Sequence, residues 1–204
     1  MFSTLYNLIK ISISAGRKIL EIYDSDISFI TKSDNSPLTL ADKESNRIIM
    51  EGLKKYYPDM PVMSEEGKEI SYEIRKDWDY YFLVDPLDGT KEFIKRNGEF
   101  TVNIALIEKD TPVLGVIFIP VLKKIYYALK GCGSYKLSLD ATDDKDFTME
   151  EIKRFSIKLP ISRDDKSEKI AIAGSRSHLR RWMFLLNRLR KNTMMYNLFQ
   201  LVVL

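Results

Sequence analysis

The feature that most limits the fold is an apolar run that ends abruptly in charge. Residues 80–84, Tyr-Tyr-Phe-Leu-Val, lead without a break into Asp85-Pro-Leu-Asp-Gly-Thr90. A short run rich in aromatic and aliphatic residues predicts a buried strand. Pro86 has a fixed φ and no backbone N–H, so the strand leaves into a rigid turn. Such a turn can aim Asp85, Asp88 and a backbone carbonyl at one point. Hard divalent cations want oxygen ligands of this kind, and Mg²⁺ typically takes one or two carboxylates with waters and a substrate phosphate. By itself the hexapeptide is also compatible with an ordinary turn, since Asp, Pro and Gly are turn formers.

The flanking segments predict a mixed architecture. Leu5, Ile9, Ile13 and Leu20 recur at helical spacing. Lys10, Arg17 and Lys18 interrupt them, and the apolar runs are far shorter than the ~20 residues of a membrane span. The expectation is an amphipathic helix packed on the core, with neither a membrane span nor a signal peptide. Lys32-Ser-Asp-Asn-Ser-Pro-Leu-Thr-Leu-Ala-Asp42 reads as a loop around Pro37. Thr39 followed by Asp42 forms a capping-box pattern that opens a helix. That helix would carry Ile48, Ile49, Leu53 and Tyr56 on one face and stop before Pro58 and Pro61. Residues 100–107 and 113–119 read as strands joined by a hairpin through 108–112. A further strand covers 125–129, and Gly131-Cys-Gly133 ends it. Residues 140–152 are charged and read as a solvated loop. Residues 169–173 read as a strand leading into Gly174-Ser-Arg-Ser-His178. The expected class is α+β, or a layered α/β domain.

Composition excludes several functions. Hydrophobic residues make up 45% and charged residues 30%, as in soluble globular proteins. The single cysteine, Cys132, allows no intramolecular disulfide and suits a reducing, cytoplasmic compartment. The single histidine, His178, excludes multi-histidine zinc sites within one chain. The net charge of +3 is misleading. Arg180, Arg181, Arg188, Arg190 and Lys191 carry it, in a tail with no acidic residue. Residues 1–179 are mildly acidic, so nucleic acid is not an expected partner.

Single acidic features carry little weight: Asp42 alone reads as a helix cap and Glu65-Glu66 as a solvated pair. Together they form a pattern. Lys32–Asp42, then Met63-Ser-Glu-Glu-Gly67, then Asp85-Pro-Leu-Asp-Gly-Thr-Lys-Glu-Phe-Ile94 resembles the inositol monophosphatase superfamily across roughly residues 1–179. The Lys91-Glu-Phe93 ending and Ala173-Gly-Ser-Arg-Ser-His178 resemble its 3'(2'),5'-bisphosphate nucleotidase branch. The resemblance implies a layered αβαβα sugar-phosphatase-like fold and Mg²⁺-dependent phosphomonoester hydrolysis. The implied substrate is adenosine 3',5'-bisphosphate, cleaved to AMP and phosphate. It implies that Glu65, Asp85 and the Leu87 carbonyl hold one metal, and that Asp88 shares a second with Asp85. Thr90, oriented by Asp42, would activate the attacking water. Gly89 and Thr90 would lie against the phosphate, and Ser175, Arg176, Ser177 and His178 near the nucleotide. For His178 a surface residue at a helix start is an equal alternative. An inositol or sugar phosphatase, or a non-catalytic remnant, are the competing functions.

The resemblance breaks off after Leu179. The Gly-Ser-Ser-Leu-Lys segment and a later Trp-Asp metal motif of the family do not occur. Residues 180–204 lack Asp, Glu, Gly and Pro. The preferred reading is a phosphatase domain over 1–179 and an out-of-frame tail over 180–204, with most of the C-terminal α/β part missing and activity impaired. The alternative for the tail is a basic amphipathic helix, peripheral at the inner membrane face. The oligomeric state is not legible.

Overall fold

The computed structural model describes residues 1–25, 29–31, 37–139, 147–159, 170–174 and 199–203. It divides into two units, Met1–Ile161 and Ser162–Leu204.

In the first unit, helix α1 (Phe2–Tyr23) forms where the spacing predicts it, with Leu5, Leu8, Ile9 and Ile19 fully buried. Strands β1 (Phe29–Thr31) and β2 (Pro37–Thr39) form an antiparallel pair. Helix α2 (Leu40–Tyr56) then starts at the expected capping box. The Thr39 side chain accepts from the N–H groups of Ala41 and Asp42, and the Asp42 carboxylate accepts from the Thr39 N–H. Three donors that a helix start leaves without intrahelical partners are satisfied in this way.

Strands β3 (Val62–Ser64), β4 (Tyr80–Asp88), β5 (Thr101–Glu108), β6 (Thr111–Ile119), β7 (Lys124–Leu129), β8 (Gly133–Ser138) and β9 (Ile157–Leu159) form one sheet in chain order. β3 runs parallel to β4, and every other neighbour is antiparallel. The expected β5–β6 hairpin is present, with Lys109 at φ 57° in its turn. Short helices α3 (Tyr72–Arg75) and α4 (Thr90–Ile94) flank β4, and α5 (Met149–Phe155) precedes β9. Phe82, Val84, Val102, Ile104, Leu114, Val116 and Phe118 point to one face of the sheet and are buried. They share one core with the apolar faces of α1 and α2. The result is the expected α+β class. In the second unit, β10 (Ile170–Gly174) pairs in parallel with β11 (Phe199–Val203). No helix among the described residues is long and apolar enough to cross a membrane.

Several expectations need correction. Pro37 lies in a strand, at its first residue, where a missing N–H is tolerated. Tyr56 is 41% exposed and lies off the apolar face. Tyr57 takes its place, with its ring 5.2 Å from that of Phe82. The run 80–84 is not buried on both faces, because Leu83 is exposed while its neighbours Phe82 and Val84 are buried. Successive strand side chains point to opposite faces, and α1 and α2 cover only one. The charged segment expected as a loop includes α5, which opens with a capping box between Thr148 and Glu151 and buries Ile152. Its charges lie on the outer face, which hid the single buried position. The end of the tail is extended rather than helical over Phe199–Val203.

The helix-to-sheet approach is close at Gly16 on α1, where an added Cβ would lie 2.3 Å from Phe118 Cε1 and 3.0 Å from Pro120 Cγ. Gly16→Ala is therefore expected to destabilise the fold by about 1–3 kcal/mol through overpacking. A lowered urea midpoint at unchanged slope checks it, and an unchanged midpoint would contradict the close approach.

Candidate active site

The site is built where β4 leaves the sheet. The β4–β5 register pairs Asp85 with Asn103 and Asp88 with Thr101, so three steps on β4 face two on β5. This is a bulge, which bends a strand and re-aims its side chains. Pro86 sits inside it, where the lack of an N–H costs no ladder bond. Gly89 follows with φ 97°, and an added Cβ there would lie 2.8 Å from the Glu99 carbonyl oxygen. Only glycine fits both conditions. The turn then enters α4, whose Phe93 packs against Tyr23 and Phe100 at ring separations of 5.1 and 5.2 Å.

β3 brings the next carboxylate. Its parallel register sets Ser64 beside Val84. The Glu65 N–H then donates to the Val84 carbonyl at 3.0 Å. Glu65 and Asp85 thus leave adjacent strands side by side. Ser64 Oγ donates to Asn46 Oδ1 at 2.7 Å and ties the end of β3 to α2.

Asp42 reaches the same place from α2. It is 1% exposed. Its Oδ2 is engaged by the backbone N–H and hydroxyl of Thr39. Its Oδ1 accepts from Thr90 Oγ1 at 3.0 Å. The residue is both the expected cap and a partner of Thr90, one oxygen for each. Thr90 Oγ1 also lies 3.3 Å from the Leu87 carbonyl. A hydroxyl has one proton to donate and two lone pairs. With its proton held by Asp42, Thr90 Oγ1 still has an acceptor side for a water.

Asp85 is the electrostatic centre. Burial, then the negative charges of Glu65 and Asp88, push its carboxyl up to about 7, while the Leu87 backbone amide works the other way. Its Oδ1 is buried with no hydrogen-bond partner. A carboxylate held among like charges with an orphaned buried oxygen is a group that a cation would satisfy. Among the described residues no three acidic, His or Cys side chains close into a metal cage by themselves. Mg²⁺ uses few carboxylates and completes its octahedron with carbonyls, waters and phosphate. The donor set of Glu65, Asp85, the Leu87 carbonyl and Asp88 therefore fits the ion.

The structure brings together Asp42, Glu65, Asp85, Leu87, Asp88, Gly89 and Thr90. Ser175, Arg176, Ser177 and His178 lie outside the described residues. Two neighbours escaped the sequence reading. Asn103 Nδ2 donates to Asp88 Oδ2 at 3.2 Å, and Asn103 Oδ1 accepts from Thr101 Oγ1 at 3.0 Å. Ser45 Oγ donates to the Pro86 carbonyl at 2.7 Å. The available signals were an amide inside an apolar strand and a serine one turn after Asp42. An open groove of about 610 Å³ runs beside the cluster, lined by Glu65, Asp85 and Asn103 with Met63, Leu83 and Ile117 among its apolar walls.

This fold, with carboxylates gathered at a bulged strand end, defines a class. Residues 3–191 match the inositol monophosphatase family, and the chain belongs to that family. A crystal structure of CysQ from Bacteroides thetaiotaomicron, a bacterial member of the family, superposes with a TM-score of 0.81 at 40% identity, covering 100% of this chain and 73% of that one. The chain is 55% identical over 120 residues to the 3'(2'),5'-bisphosphate nucleotidase CysQ of Salmonella typhimurium, covering 58% of this chain and 48% of the relative. For the protein of the same name in Escherichia coli strain K12, identity is 52% with the same coverage. The chain spans about half the length of the curated relatives it matches.

The raised Asp85 value gives a pH dependence. Its stabilising contribution is fully present below the unfolded carboxyl value of 3.8 and is lost as pH rises through about 7. The metal-free chain is expected to lose stability over this window, and Asp85→Asn to remove that part of the loss. Thermal melts from pH 4 to 8 with a chelator test this. Parallel profiles for both chains would contradict it.

Proposed function

We propose that this chain carries the catalytic machinery of a Mg²⁺-dependent phosphomonoesterase acting on adenosine 3',5'-bisphosphate. The observation that carries the reading is the Thr90 hydroxyl, held by Asp42 at 3.0 Å beside a carboxylate with an orphaned buried oxygen. The substrate follows the CysQ relatives, which are named as 3'(2'),5'-bisphosphate nucleotidases.

In this reading Glu65, Asp85 and the Leu87 carbonyl would hold one Mg²⁺, and Asp88 with Asp85 would hold a second. When bound, the ions would supply charge neutralisation at the phosphate and a lowered pKa for the attacking water. Thr90 Oγ1 accepts a hydrogen bond from that water. As the water attacks phosphorus, its proton passes to Thr90 Oγ1 and the Thr90 proton passes to Asp42 Oδ1. The capping contacts on Asp42 Oδ2 keep the carboxylate from rotating away. The P–O bond to the ribose oxygen breaks, that oxygen takes a proton from a solvent water, and Asp42 returns its proton to solvent as AMP and phosphate are released. Gly89 brings the backbone close to the phosphate because no side chain intervenes. Ser175, Arg176, Ser177 and His178 are proposed to meet the nucleotide.

Phosphate release by the purified chain, with Mg²⁺ and a panel of adenosine 3',5'-bisphosphate, inositol 1-phosphate and fructose 1,6-bisphosphate, tests the reading. The expected result is preference for the nucleotide, with Thr90→Ala lowering kcat by about 10²–10⁴-fold. Preference for inositol phosphate would reassign the substrate within the family. Phosphate release that Thr90→Ala leaves unchanged would overturn the assignment, and no release at all would mark a non-catalytic chain.

A further inference from the structure

Ser45 lies on α2 one turn after Asp42, on the same face of the helix. Its side chain is fully buried, and its hydroxyl donates to the Pro86 carbonyl at 2.7 Å across 41 residues of sequence. The β4–β5 register skips Pro86 and Leu87, so the bulge removes the cross-strand partners a regular strand would provide. Ser45 supplies one from the helix side.

The consequence extends past the carbonyl. The Pro86 C=O and the Leu87 N–H belong to one planar unit and point in opposite directions. A carbonyl drawn toward α2 turns the Leu87 N–H away from it. The Leu87 amide is a backbone hydrogen-bond partner of the Asp85 carboxylate. The Leu87 carbonyl, 3.3 Å from Thr90 Oγ1, belongs to the next peptide, which joins this one at the Leu87 Cα. Asp42 and Ser45, three residues apart, thus hold Thr90 and Pro86, on either side of Leu87.

We propose that Ser45 is a positioning residue of the cation site: by fixing the Pro86–Leu87 peptide plane, it sets the directions of the Asp85 carboxylate and the Leu87 carbonyl. The proposal rests on the reading of this cluster as a Mg²⁺ site. Ser45 touches neither substrate nor metal and acts through the backbone. Partners of this kind are worth about 10–100-fold in metal affinity where they have been removed.

The test is a Mn²⁺ titration of the full chain followed by electron paramagnetic resonance, with Mn²⁺ standing in for Mg²⁺ as an ion of similar oxygen preference. Ser45→Ala is expected to weaken Mn²⁺ binding about tenfold. Ser45→Cys keeps the volume and weakens the hydrogen bond, and it serves where the alanine variant does not fold; the same direction is expected. Leu53→Ala on the same helix lowers stability while leaving the Pro86 carbonyl partnered, and it should bind Mn²⁺ as the parent does. Equal affinity in parent and Ser45 variants overturns the proposal, and so does an equal loss in Leu53→Ala. A parent chain that takes up no Mn²⁺ overturns the metal reading itself, and this proposal with it.

Discussion

The bulge in β4 between Asp85 and Asp88 is the constraint on which the rest of the site depends. A regular strand would alternate its side chains across the sheet and keep its carbonyls in the ladder. With one extra residue on β4, Pro86 and Leu87 leave the ladder between Asp85 and Asp88, and Glu65 at the end of β3 lies beside Asp85. The bulge holds its shape through three neighbours. Pro86 has no N–H to lose, Gly89 takes a left-handed conformation against the Glu99 carbonyl, and Ser45 occupies the Pro86 carbonyl. Each removes a backbone conflict that the irregular path would otherwise create.

Helix α2 couples the bulge to the core. Ile49 and Leu53 are fully buried in the cluster shared with Phe82 and Val84. The same helix reaches the site through Asp42, Ser45 and Asn46. Any shift of α2 along the sheet would move all three contacts together.

The electrostatics run against stability. Asp85 is driven upward by burial and by two neighbouring carboxylates, and one of its oxygens has no partner. A metal-free fold would be better served by asparagine or an apolar residue there. Such strain is tolerated where a ligand relieves it, and a strongly shifted carboxyl beside a groove is a marker of function for that reason. Asn103 moderates the crowding, because its amide donates to Asp88 and is kept from flipping by the Thr101 hydroxyl.

The sequence by itself determined the elements and most of the site. Helical spacing at Leu5, Ile9 and Ile13 located α1, and the Thr39–Asp42 capping box located the start of α2, because both are local patterns. Asp85-Pro-Leu-Asp-Gly-Thr90 pointed to a rigid turn bearing carboxylates for the same reason. Tertiary structure alone decided which carboxylates meet. The parallel placement of β3 beside β4 brings Glu65 to Asp85, and the packing of α2 on β4 brings Asp42 to Thr90 and Ser45 to Pro86. It also decided that Tyr57 rather than Tyr56 faces the core, and that the charged stretch near residue 150 folds as a helix over Ile152. These outcomes depend on contacts between residues far apart in the chain, and local spacing carries no record of them. Chain order listed the ligands, and the sheet register and the helix packed across it set their geometry.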